Sequence, residues 1–469
     1  MSASFDFGMI GLGTMGRNLL LNIADHGFAA IGFDRDATKG SLLESSATAG
    51  TTVKAAASLQ EMVASLKPPR RIMMLVPAGP IVDAVINDLL PLTEPGDIII
   101  DGGNSHFNDT LRRIEGLKDK KVHFIGMGVS GGEEGARKGP SIMPGGDSEA
   151  WTSLKPILEA ISAKVNDDPC VAYMGKAAAG HYVKMVHNGI EYAIMQLISE
   201  VYDLLKRGVG LNNDELHLVF KQWNEGELQS FLVEITAQIF TKNDELSGNR
   251  LVDMILDKAG SKGTGKWTSQ EGMDLPVSIP TIDMAVAMRD LSAYKAERTQ
   301  AAALYKPAVK PFGGDKQKTI AVLQDALYTA VVLSYAQGLA MLQKASTERQ
   351  MEIPMKDVVK IWRGGCIIRS GLLELFTGIY KKQPSLANIL LDKKVASLVK
   401  KKQRGLRRAI QLAAGSKIPA TGLMSALSYL DAYSSERMPT NLIQAQRDFF
   451  GAHTYQRIDK EGSFHTEWE

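Results

Sequence analysis

The chain has 469 residues, of which 44% are hydrophobic and 23% are charged. This composition is typical of a soluble globular protein and excludes a disordered one, and at about 150 residues per domain the length suggests about three structural pieces. The formal net charge is only +2, so no overall field draws the protein to nucleic acid or to a membrane, and an anionic ligand must be held by local basic residues. The two cysteines, Cys170 and Cys366, are too few for a disulfide framework and suit a reducing compartment. Residues 1–16 carry no basic residue, which argues against a secretory signal and favours a cytoplasmic protein.

The first 176 residues alternate short apolar runs with amphipathic helical patterns. The apolar runs predict strands over Phe7–Ile10, Ala29–Phe33, Arg71–Val76, Asp97–Ile100 and Val122–Ile125. Strands that alternate with helices are typical of a parallel sheet with crossover helices. We therefore predict an α/β domain over residues 1–176.

From residue 177 to residue 436 almost every segment has helical periodicity, which predicts an all-α domain. The predicted helices are Ala177–Arg207, Asp214–Trp223, Leu228–Phe240, Leu251–Ala259, Ile282–Arg298, Gln317–Lys344, Met355–Trp362, Lys394–Ala414 and Ser425–Ser435. The uncharged stretch Ala326–Gln343 reaches the roughly 18 residues of a membrane span. Its tyrosine, threonine, serine and glutamine residues favour a buried core helix instead.

Residues 437–469 are predicted to form a C-terminal tail. After Gly451 the chain is polar, yet it contains Tyr455, Phe464 and Trp468, and aromatic residues of this size are rarely left in a free segment. The residues alone leave two possibilities open. The tail packs on its own chain, or it reaches into a partner subunit.

A glycine motif joins the first predicted strand to the first predicted helix. Its residues, spaced as GxGxxG, are Gly11, Leu12, Gly13, Thr14, Met15 and Gly16. Glycines at this spacing allow a tight turn that brings backbone N–H groups and a helix N-terminus to a pyrophosphate. The motif predicts a dinucleotide site, and the alternative is a strand–helix turn that binds nothing.

The second predicted strand is followed by Asp34, Arg35 and Asp36. A carboxylate at this position accepts hydrogen bonds from the ribose hydroxyls of NAD and repels the 2′-phosphate of NADP. An arginine acts in the opposite sense, because a guanidinium holds that phosphate or stacks on the adenine. With two carboxylates against one arginine, these residues favour NAD.

Later strands end at the same edge of the predicted sheet, where open α/β sheets bind ligands. The residues at these ends are Val76, Pro77 and Ala78, then Asn104, and then Ser130, Gly131 and Gly132. We expect the asparagine to hydrogen-bond a ligand. The serine and its two glycines offer a hydroxyl and two N–H groups to an anion.

The most informative segment is GHYVKMVHNGIEY, residues 180–192. Lys184, Asn188 and Glu191 lie at i, i+4 and i+7 and therefore on one face of a helix, with His187 and Tyr192 beside them. A Lys–Glu pair suits an oxidation that needs a base and an acid. The lysine would have to be neutral and the glutamate protonated, and burial shifts the pKa of each in that direction. The alternative is an exposed, salt-bridged face.

The segment GSKGTGKW, residues 260–267, resembles a P-loop without being one. A P-loop has Ser or Thr at the position of Trp267 and follows a strand, whereas this segment follows a helical pattern. Its lysines, which include Lys262, suit a phosphomonoester, and a plain exposed loop is the alternative. The eight histidines form no HxxH, HExxH or Cys/His cluster, so no metal site is predicted.

Six segments together resemble one known family, the decarboxylating 6-phosphogluconate dehydrogenases of the pentose phosphate pathway. The segments are IIIDGGNSHF, GVSGGEEGARKGPSIMPGG, GHYVKMVHNGIEY, KGTGKWT, WRGGCIIR and NLIQAQRDFFGAHTY. The resemblance spans essentially the whole chain. It implies a homodimer with a Rossmann-type coenzyme domain, a large all-α domain and a C-terminal tail that crosses into the other subunit.

The resemblance also implies a reaction, in which 6-phospho-D-gluconate and NAD(P)+ give D-ribulose 5-phosphate and CO2 without a metal. Lys184 would take the proton of the C3 hydroxyl as hydride leaves, and Glu191 would protonate C1 of the enediol that remains after CO2 departs. The residues implied to hold the sugar acid are Asn104, Ser130, Gly131, Gly132, His187 and Asn188. Those implied to hold its phosphate are Tyr192, Lys262, Arg289 and Arg447, with Arg447 and His453 supplied by the partner subunit.

Three departures from the family pattern lie at the coenzyme. The family usually has Asn-Arg-Thr at positions 34–36, where the Asn and Thr help to bind the 2′-phosphate of NADP, and this chain has Asp34 and Asp36. Pro77 replaces a common lysine, and Gly13 replaces a common alanine. The family therefore implies NADP, whereas the residues favour NAD or the use of both coenzymes.

Two other functions fit part of the sequence. A different β-hydroxyacid dehydrogenase, such as one acting on hydroxyisobutyrate, shares the glycine motif and a catalytic lysine. Such enzymes are much shorter and have no tail equivalent to that of Arg447 and His453. A non-catalytic dinucleotide-binding sensor is the third possibility, and the intact Lys184–Glu191 stripe argues against it.

Overall fold

The computed structural model describes residues 4–306 and 308–468, so the predicted domain ends at 1 and 469 lie outside it. Its N-terminal part is built on a seven-stranded sheet and a separate two-stranded one. The strands are β1 (Phe7–Ile10), β2 (Ala30–Phe33), β3 (Val53–Ala55), β4 (Arg71–Met74), β5 (Ile98–Asp101), β6 (His123–Ser130), β7 (Ser141–Gly146), β8 (Lys164–Val165) and β9 (Asp168–Pro169). The sheet order is β3-β2-β1-β4-β5-β6-β7, with β1–β6 parallel and β7 antiparallel to β6. For its six parallel strands this is the Rossmann order, which confirms the predicted fold class.

Helices cover both faces of this sheet. They are α1 (Thr14–Asp25), α2 (Ala37–Ser45), α3 (Leu59–Ala64), α4 (Pro80–Leu89), α5 (Phe107–Leu117), α6 (Gly132–Lys138) and α7 (Ser148–Ile161), with 3-10 turns at Leu90–Leu92 and Lys118–Lys120. One core cluster packs α1 and α7 on one face, and a second packs α3 and α4 on the other. Strands enclosed on both faces need continuous apolar runs, which explains why β1 and β5 are buried throughout.

The rest of the chain is helical. Its helices are α8 (Ala179–Asp203), α9 (Asn213–Asn224), α10 (Phe231–Ile239), α11 (Leu251–Met254), α12 (Thr264–Asp274), α13 (Pro280–Ser292), α14 (Lys295–Tyr305), α15 (Lys316–Glu348), α16 (Met355–Ile361), α17 (Leu372–Lys382), α18 (Lys393–Ser416), α19 (Thr421–Tyr433) and α20 (Thr440–Gly451), with a π-helix at Leu204–Val209 and a 3-10 turn at Ile389–Leu391. Helix α15 packs against α8 and α18 at the centre. It is long and apolar enough to cross a membrane, but 67% of its most apolar window is buried within the protein, as the sequence predicts for Ala326–Gln343.

Two helix predictions differ from the structure. The predicted helix Leu251–Ala259 is helical only over α11, and Ile255 and Leu256 beyond it are exposed. Apolar periodicity predicts a helix only when the apolar residues face a core, and here they face outward. The predicted helix Ile282–Arg298 is divided between α13 and α14. The predicted domain boundary after residue 176 falls in the segment between β9 and α8, and it stays a prediction.

Helix α8 crosses strands β6 and β7 at four glycines, Gly126, Gly128, Gly145 and Gly180, which we call the glycine seam. A Cβ on Gly180 would overlap the carbonyl oxygen of Gly126, and a Cβ on Gly145 would overlap the amide of Gly180. A Cβ on Gly128 would overlap the side chain of Lys184. Only glycine allows backbones to approach this closely. The seam therefore seats the predicted base directly on strand β6.

Candidate active site

The carboxyl ends of β1, β2 and β4 open into a cleft with about 820 Å³ of empty space. Six predicted coenzyme residues line it, namely Gly11, Gly13, Asp34, Arg35, Val76 and Pro77. The lining also contains residues that the sequence did not suggest, namely Ile10, Lys39, Leu59, Leu75, Ile81, Val85 and Asp88. Helical spacing on α4 relates Ile81 to Val85 and could have indicated both.

The glycine motif has the backbone that a dinucleotide turn requires. Gly11 has φ +92°, and a Cβ on Gly16 would overlap the carbonyl oxygen of Gly11. Gly13 immediately precedes α1 with no atom within 4 Å of a Cβ placed on it, so space remains there for a ligand. Thr14 and Met15 form the first turn of α1. The N-terminus of this helix therefore opens into the cleft and fits a pyrophosphate.

A hydrogen bond between Leu12 and Asp34 fixes the aspartate at the edge of the cleft. The side chain of Leu12 is buried in the core, and its backbone N–H donates to Asp34 Oδ2 at 2.8 Å. Asp34 Oδ1 accepts the Asp36 N–H at 3.0 Å, and Lys39 Nζ lies 3.3 Å from both carboxylate oxygens. Burial acts to raise the pKa of Asp34, but the two amides and the ammonium hold it below its ordinary value. The end of β2 therefore presents a fixed negative charge.

The other two charged residues after β2 are exposed, and each has a different partner. Asp36 is the N-cap of α2, where its carboxylate accepts the N–H of Thr38 at 3.0 Å and the hydroxyl of Thr38 at 2.6 Å. Arg35 is exposed, with its guanidinium 3.6 Å from the carboxylate of Asp88. The two carboxylates are therefore not equivalent, because Asp34 lines the cleft and Asp36 caps a helix.

A buried arginine joins the loops that carry Ala78 and Asn104. Arg113 donates to the carbonyl oxygen of Gly79 at 3.0 Å and to the carboxylate of Asp101 at 3.3 Å. Asp101 in turn accepts the N–H of Gly103 at 3.1 Å and the hydroxyl of Ser105 at 2.6 Å. Asn104, between them, is exposed. This network holds the asparagine loop at the carboxyl end of β5.

The predicted catalytic stripe lies on α8 and is buried. Lys184 is 7% exposed, Asn188 8% and His187 0%, so the stripe is not the solvated face considered as its alternative. His187 Nδ1 lies 3.0 Å from Asn188 Oδ1 and 3.8 Å from a carboxylate oxygen of Glu191, and its Nε2 lies 3.4 Å from Ser130 Oγ. The histidine therefore ties the stripe to the end of β6.

Burial sets the protonation of this stripe. It lowers the pKa of Lys184, and the nearby Glu191 carboxylate only partly offsets this. Burial raises the pKa of Glu191, against the opposing effects of Lys184 and Arg289. Burial and the neighbouring Lys184 also hold the pKa of His187 well below its ordinary value. The stripe thus favours a neutral lysine, a protonated glutamate and a neutral histidine, which is the arrangement that acid–base chemistry needs.

Glycines shape the positions on either side of the stripe. Gly131 and Gly132 have φ +117° and +63°, and a Cβ on Gly131 would lie 2.7 Å from the carbonyl oxygen of Gly365 in the WRGGC segment. The same segment provides Trp362, whose ring lies edge-on to His187 at 5.6 Å. A segment distant in sequence therefore packs against Gly131 beside the buried Ser130, whereas Gly132 is exposed.

A cationic patch lies at the far end of the stripe. The guanidinium of Arg289 lies 3.5 Å from the ring centroid of Tyr192 and donates to the carbonyl oxygen of Gly260 at 3.1 Å. This bond links α13 to the loop that carries the exposed Lys262. Position 265 requires glycine, because a Cβ there would overlap the Tyr192 ring. Tyr192, Arg289 and the lysine loop are thus brought together.

Comparison with known proteins identifies the family. Residues 6–185 match the family described as the NAD binding domain of 6-phosphogluconate dehydrogenase, and residues 180–468 match the 6-phosphogluconate dehydrogenase C-terminal domain. The chain belongs to the 6-phosphogluconate dehydrogenase family.

Similar members of this family match the chain over nearly its whole length. A Bacillus subtilis protein named 6-phosphogluconate dehydrogenase, NADP(+)-dependent, decarboxylating, is 52% identical over 462 residues, 98% of each chain. A decarboxylating 6-phosphogluconate dehydrogenase of Saccharomyces cerevisiae is 49% identical, covering 96% of this chain and 93% of the yeast protein. The solved Plasmodium falciparum 6-phosphogluconate dehydrogenase has a TM-score of 0.96 at 43% identity, covering 99% of this chain and 100% of its own. The sequence prediction of this family is confirmed.

Two of the predicted site residues lie apart from the stripe. Arg447 and His453 are exposed on the tail, and in the described part of the chain Arg447 bonds only Gln444, three residues away. The ring of His453 contacts that of Phe450. A single chain therefore does not bring the two tail residues to the cationic patch.

One group of side chains within the described residues has the spacing of a metal ligand set. The ligand atoms of His123, Asp147 and Glu149 lie within 4.8 Å of one another. Sequence spacing did not suggest it, because His123 lies on β6 and the other two begin α7. Asp147 already caps α7 by accepting the N–H of Glu149 at 2.8 Å and contacts His123 Nδ1 at 2.5 Å. These bonds account for the cluster as a helix cap with a histidine–carboxylate contact.

Proposed function

We propose that the protein oxidises and decarboxylates 6-phospho-D-gluconate to D-ribulose 5-phosphate and CO2, with reduction of NAD(P)+, in the cytoplasm. The observation that carries this proposal is the stripe of Lys184 and Glu191 on α8. Burial shifts both pKa values toward the neutral forms, and the glycine seam holds Lys184 on strand β6 of the sheet whose edge forms the nucleotide cleft. The test is CO2 release from 6-phosphogluconate with either coenzyme. Absence of turnover with both would contradict it.

The proposed reaction begins at Lys184. The nicotinamide, when bound in the cleft, supplies the hydride acceptor. Neutral Lys184 takes the proton of the C3 hydroxyl as the C3 hydride leaves, which gives a 3-keto acid and a lysine ammonium. The ketone lies β to the carboxylate, so the C1–C2 bond breaks without a metal, CO2 departs, and the ammonium returns its proton to the enolate oxygen.

Glu191 completes the reaction. Its carboxyl protonates the enediol carbon that carried CO2, while Lys184 takes the proton of the enol hydroxyl on the neighbouring carbon. The product is the ketone D-ribulose 5-phosphate. His187, Asn188 and Ser130 would hydrogen-bond the sugar acid beside the lysine, and Arg289 with Lys262 would hold its phosphate at the other end.

For the coenzyme we propose a preference for NAD or the use of both coenzymes. The support is the Asp34 carboxylate, which its bonds to Leu12 and Asp36 keep charged where an adenine ribose would lie. Lys39 and Arg35 act against a complete exclusion of NADP, because both are cations in the lining of the same cleft. Steady-state kcat/KM measured with each coenzyme tests this. A ratio that strongly favours NADP, the coenzyme in the name of the Bacillus relative, would overturn it.

We further propose a homodimer in which each tail completes the site of the other chain. Helix α20 makes no extensive contact with another described helix or strand of its own chain, and its Leu442, Ile443, Phe449 and Phe450 are exposed. Arg289 lies at a groove with about 1030 Å³ of empty space, into which a segment from outside could bring Arg447. Apolar residues exposed on this scale are typical of an interface.

Mixed dimers test the exchange of tails. Neither Lys184→Met nor Arg447→Ala homodimers contain a complete site. If the tails cross, a mixed dimer has one complete site, formed by the Lys184 of one chain and the Arg447 of the other. We expect co-expression to restore turnover at the wild-type KM. No restoration in verified mixed dimers would contradict the exchange.

A further inference from the structure

The C-terminal tail is organised around one carboxylate. Asp448 is the buried residue of α20 and has no exposed surface. Its Oδ1 accepts the Thr454 N–H at 3.0 Å and His465 Nδ1 at 2.9 Å. Its Oδ2 accepts the Thr466 N–H at 3.1 Å and Trp468 Nε1 at 2.9 Å. Four donors from three stretches of the tail therefore converge on this side chain.

These bonds fix the turn that carries His453. The residues on either side of it, Ala452 and Thr454, have φ +48° and +58°, a conformation that residues other than glycine keep only where the surroundings enforce it. The Ala452 N–H donates to the Asp448 carbonyl at 2.9 Å, and the Thr454 N–H donates to the Asp448 carboxylate. The Thr454 carbonyl accepts Gln444 Nε2 at 2.5 Å. The backbone on both sides of His453 is thus held to α20.

The rest of the tail depends on the same carboxylate. Backbone bonds between Tyr455 and Phe464, at 2.8 and 2.9 Å, close a loop that returns His465 and Trp468 to Asp448. Burial acts to raise the pKa of Asp448, but His465, the Thr466 amide and Trp468 lower it to about 2. The carboxylate therefore stays charged, and charge-assisted bonds of this kind are roughly twice as strong as neutral ones.

We propose that Asp448 is a positioning residue that sets Arg447 and His453 in the geometry with which they hold the substrate in the partner subunit. This inference rests on the proposed exchange of tails. Arg447 precedes Asp448 directly in the chain, and His453 lies inside the turn that Asp448 closes. Because an isolated tail has no hydrophobic core of its own, this hub supplies the rigidity that a core gives to other site residues.

The test is Asp448→Asn, which keeps the volume but turns an amide N–H₂ toward bound donors. We expect the KM for 6-phosphogluconate to rise by about tenfold or more, the scale of a lost charge-assisted contact. The kcat and the KM for the coenzyme should change less than about twofold, because ground-state binding alone is weakened. The matched control is Asp459→Asn, an exposed tail aspartate whose carboxylate, among the described residues, bonds only Arg457 at 2.7 and 2.8 Å. It should leave all three constants unchanged.

A second variant and a mixed dimer separate the possible failures. Trp468→Phe removes one of the four donors and should raise the same KM about two- to threefold, so the inference stays testable if Asp448→Asn does not fold. A wild-type KM in a folded Asp448→Asn dimer would overturn the positioning role. In dimers mixed with Lys184→Met, the site with Lys184 receives an intact tail and should recover the wild-type KM. A raised KM in the homodimer without recovery in the mixed dimer would overturn the exchange of tails and not the hub.

Discussion

One lysine–carboxylate pair lies in the coenzyme cleft and another on the catalytic helix, and the pKa of the carboxyl group is lowered in the first and raised in the second. Lys39 lies 3.3 Å from Asp34 with 41% of its side chain exposed, and bonds from Leu12 and Asp36 help to keep the aspartate charged. Lys184 and Glu191 are enclosed by α8 and its neighbours, and burial moves the pKa of each toward the neutral form.

The comparison shows that residue types alone do not decide what such a pair does. Backbone N–H groups help to keep Asp34 charged at the cleft, which is the charge that we propose distinguishes the two coenzymes. On α8, burial shifts the pKa of Lys184 and that of Glu191 toward the neutral forms, in which the two residues can serve as base and acid. Four experiments sharpen or break this contrast, beginning with the largest expected effect.

Replacing the buried base should have the largest effect. In Lys184→Met we expect kcat to fall by about 10³-fold or more, since general-base catalysis accounts for roughly 10²–10⁴. Binding of 6-phosphogluconate, followed by calorimetry, should change only a few-fold. The matched variant Lys39→Met removes the lysine of the pair in the coenzyme cleft and should keep kcat within about twofold. A Lys184→Met enzyme with more than about a tenth of normal kcat would show that another group is the base.

The pH dependence should lose one limb when the buried acid is replaced. Because its pKa is lowered, Lys184 loses its proton at a lower pH than an ordinary lysine does. Because its pKa is raised, Glu191 keeps its proton to a higher pH than an ordinary carboxyl group does. We expect kcat/KM to rise with pH as Lys184 loses its proton and to fall as Glu191 loses its own. In Glu191→Gln the alkaline fall should disappear, with about 10²-fold lower activity at the optimum. Persistence of that fall would assign it to another residue.

Neutralising the charge in the cleft should change coenzyme choice. The double variant Asp34→Asn with Asp36→Thr removes two negative charges near the expected 2′-phosphate. We expect the ratio of kcat/KM for NADP to that for NAD to rise by about tenfold or more. The measurement is the paired coenzyme assay on variant and wild type at equal ionic strength. An unchanged ratio would show that these aspartates act only as a loop anchor and a helix cap.

The smallest expected effect is on stability. Replacing Lys184 should stabilise the fold although it reduces activity. The pKa of Lys184 is lower in the folded protein than its ordinary 10.5, so folding is penalised wherever the unfolded lysine is charged, and the penalty disappears as pH rises past that value. Lys184→Met should therefore raise Tm at pH 7 by about 1–3 °C. Lys39→Met loses an ion pair and should not raise it. A lowered Tm in folded Lys184→Met would contradict the pKa direction.

The parts predicted from sequence are those that repeat locally. Short apolar runs predicted five of the seven strands of the large sheet, and the helical spacing placed Lys184, Asn188 and Glu191 on one helix face. Contacts between distant segments were not predictable in this way. The carbonyl oxygen of Gly365 lies against Gly131 only because the WRGGC segment returns to the end of β6, and His465 reaches Asp448 only through the closure of the tail.

The glycine seam limits how far helix α8 can move against the sheet. At Gly145 and Gly180 the backbones of β7 and α8 contact each other directly, and no side chain lies between them whose rearrangement would let the helix shift. Amides of Gly180 and its neighbours should therefore exchange with solvent deuterium only in the slowest, most global opening. The position of Lys184 relative to the coenzyme domain would then be kept until the whole fold is lost.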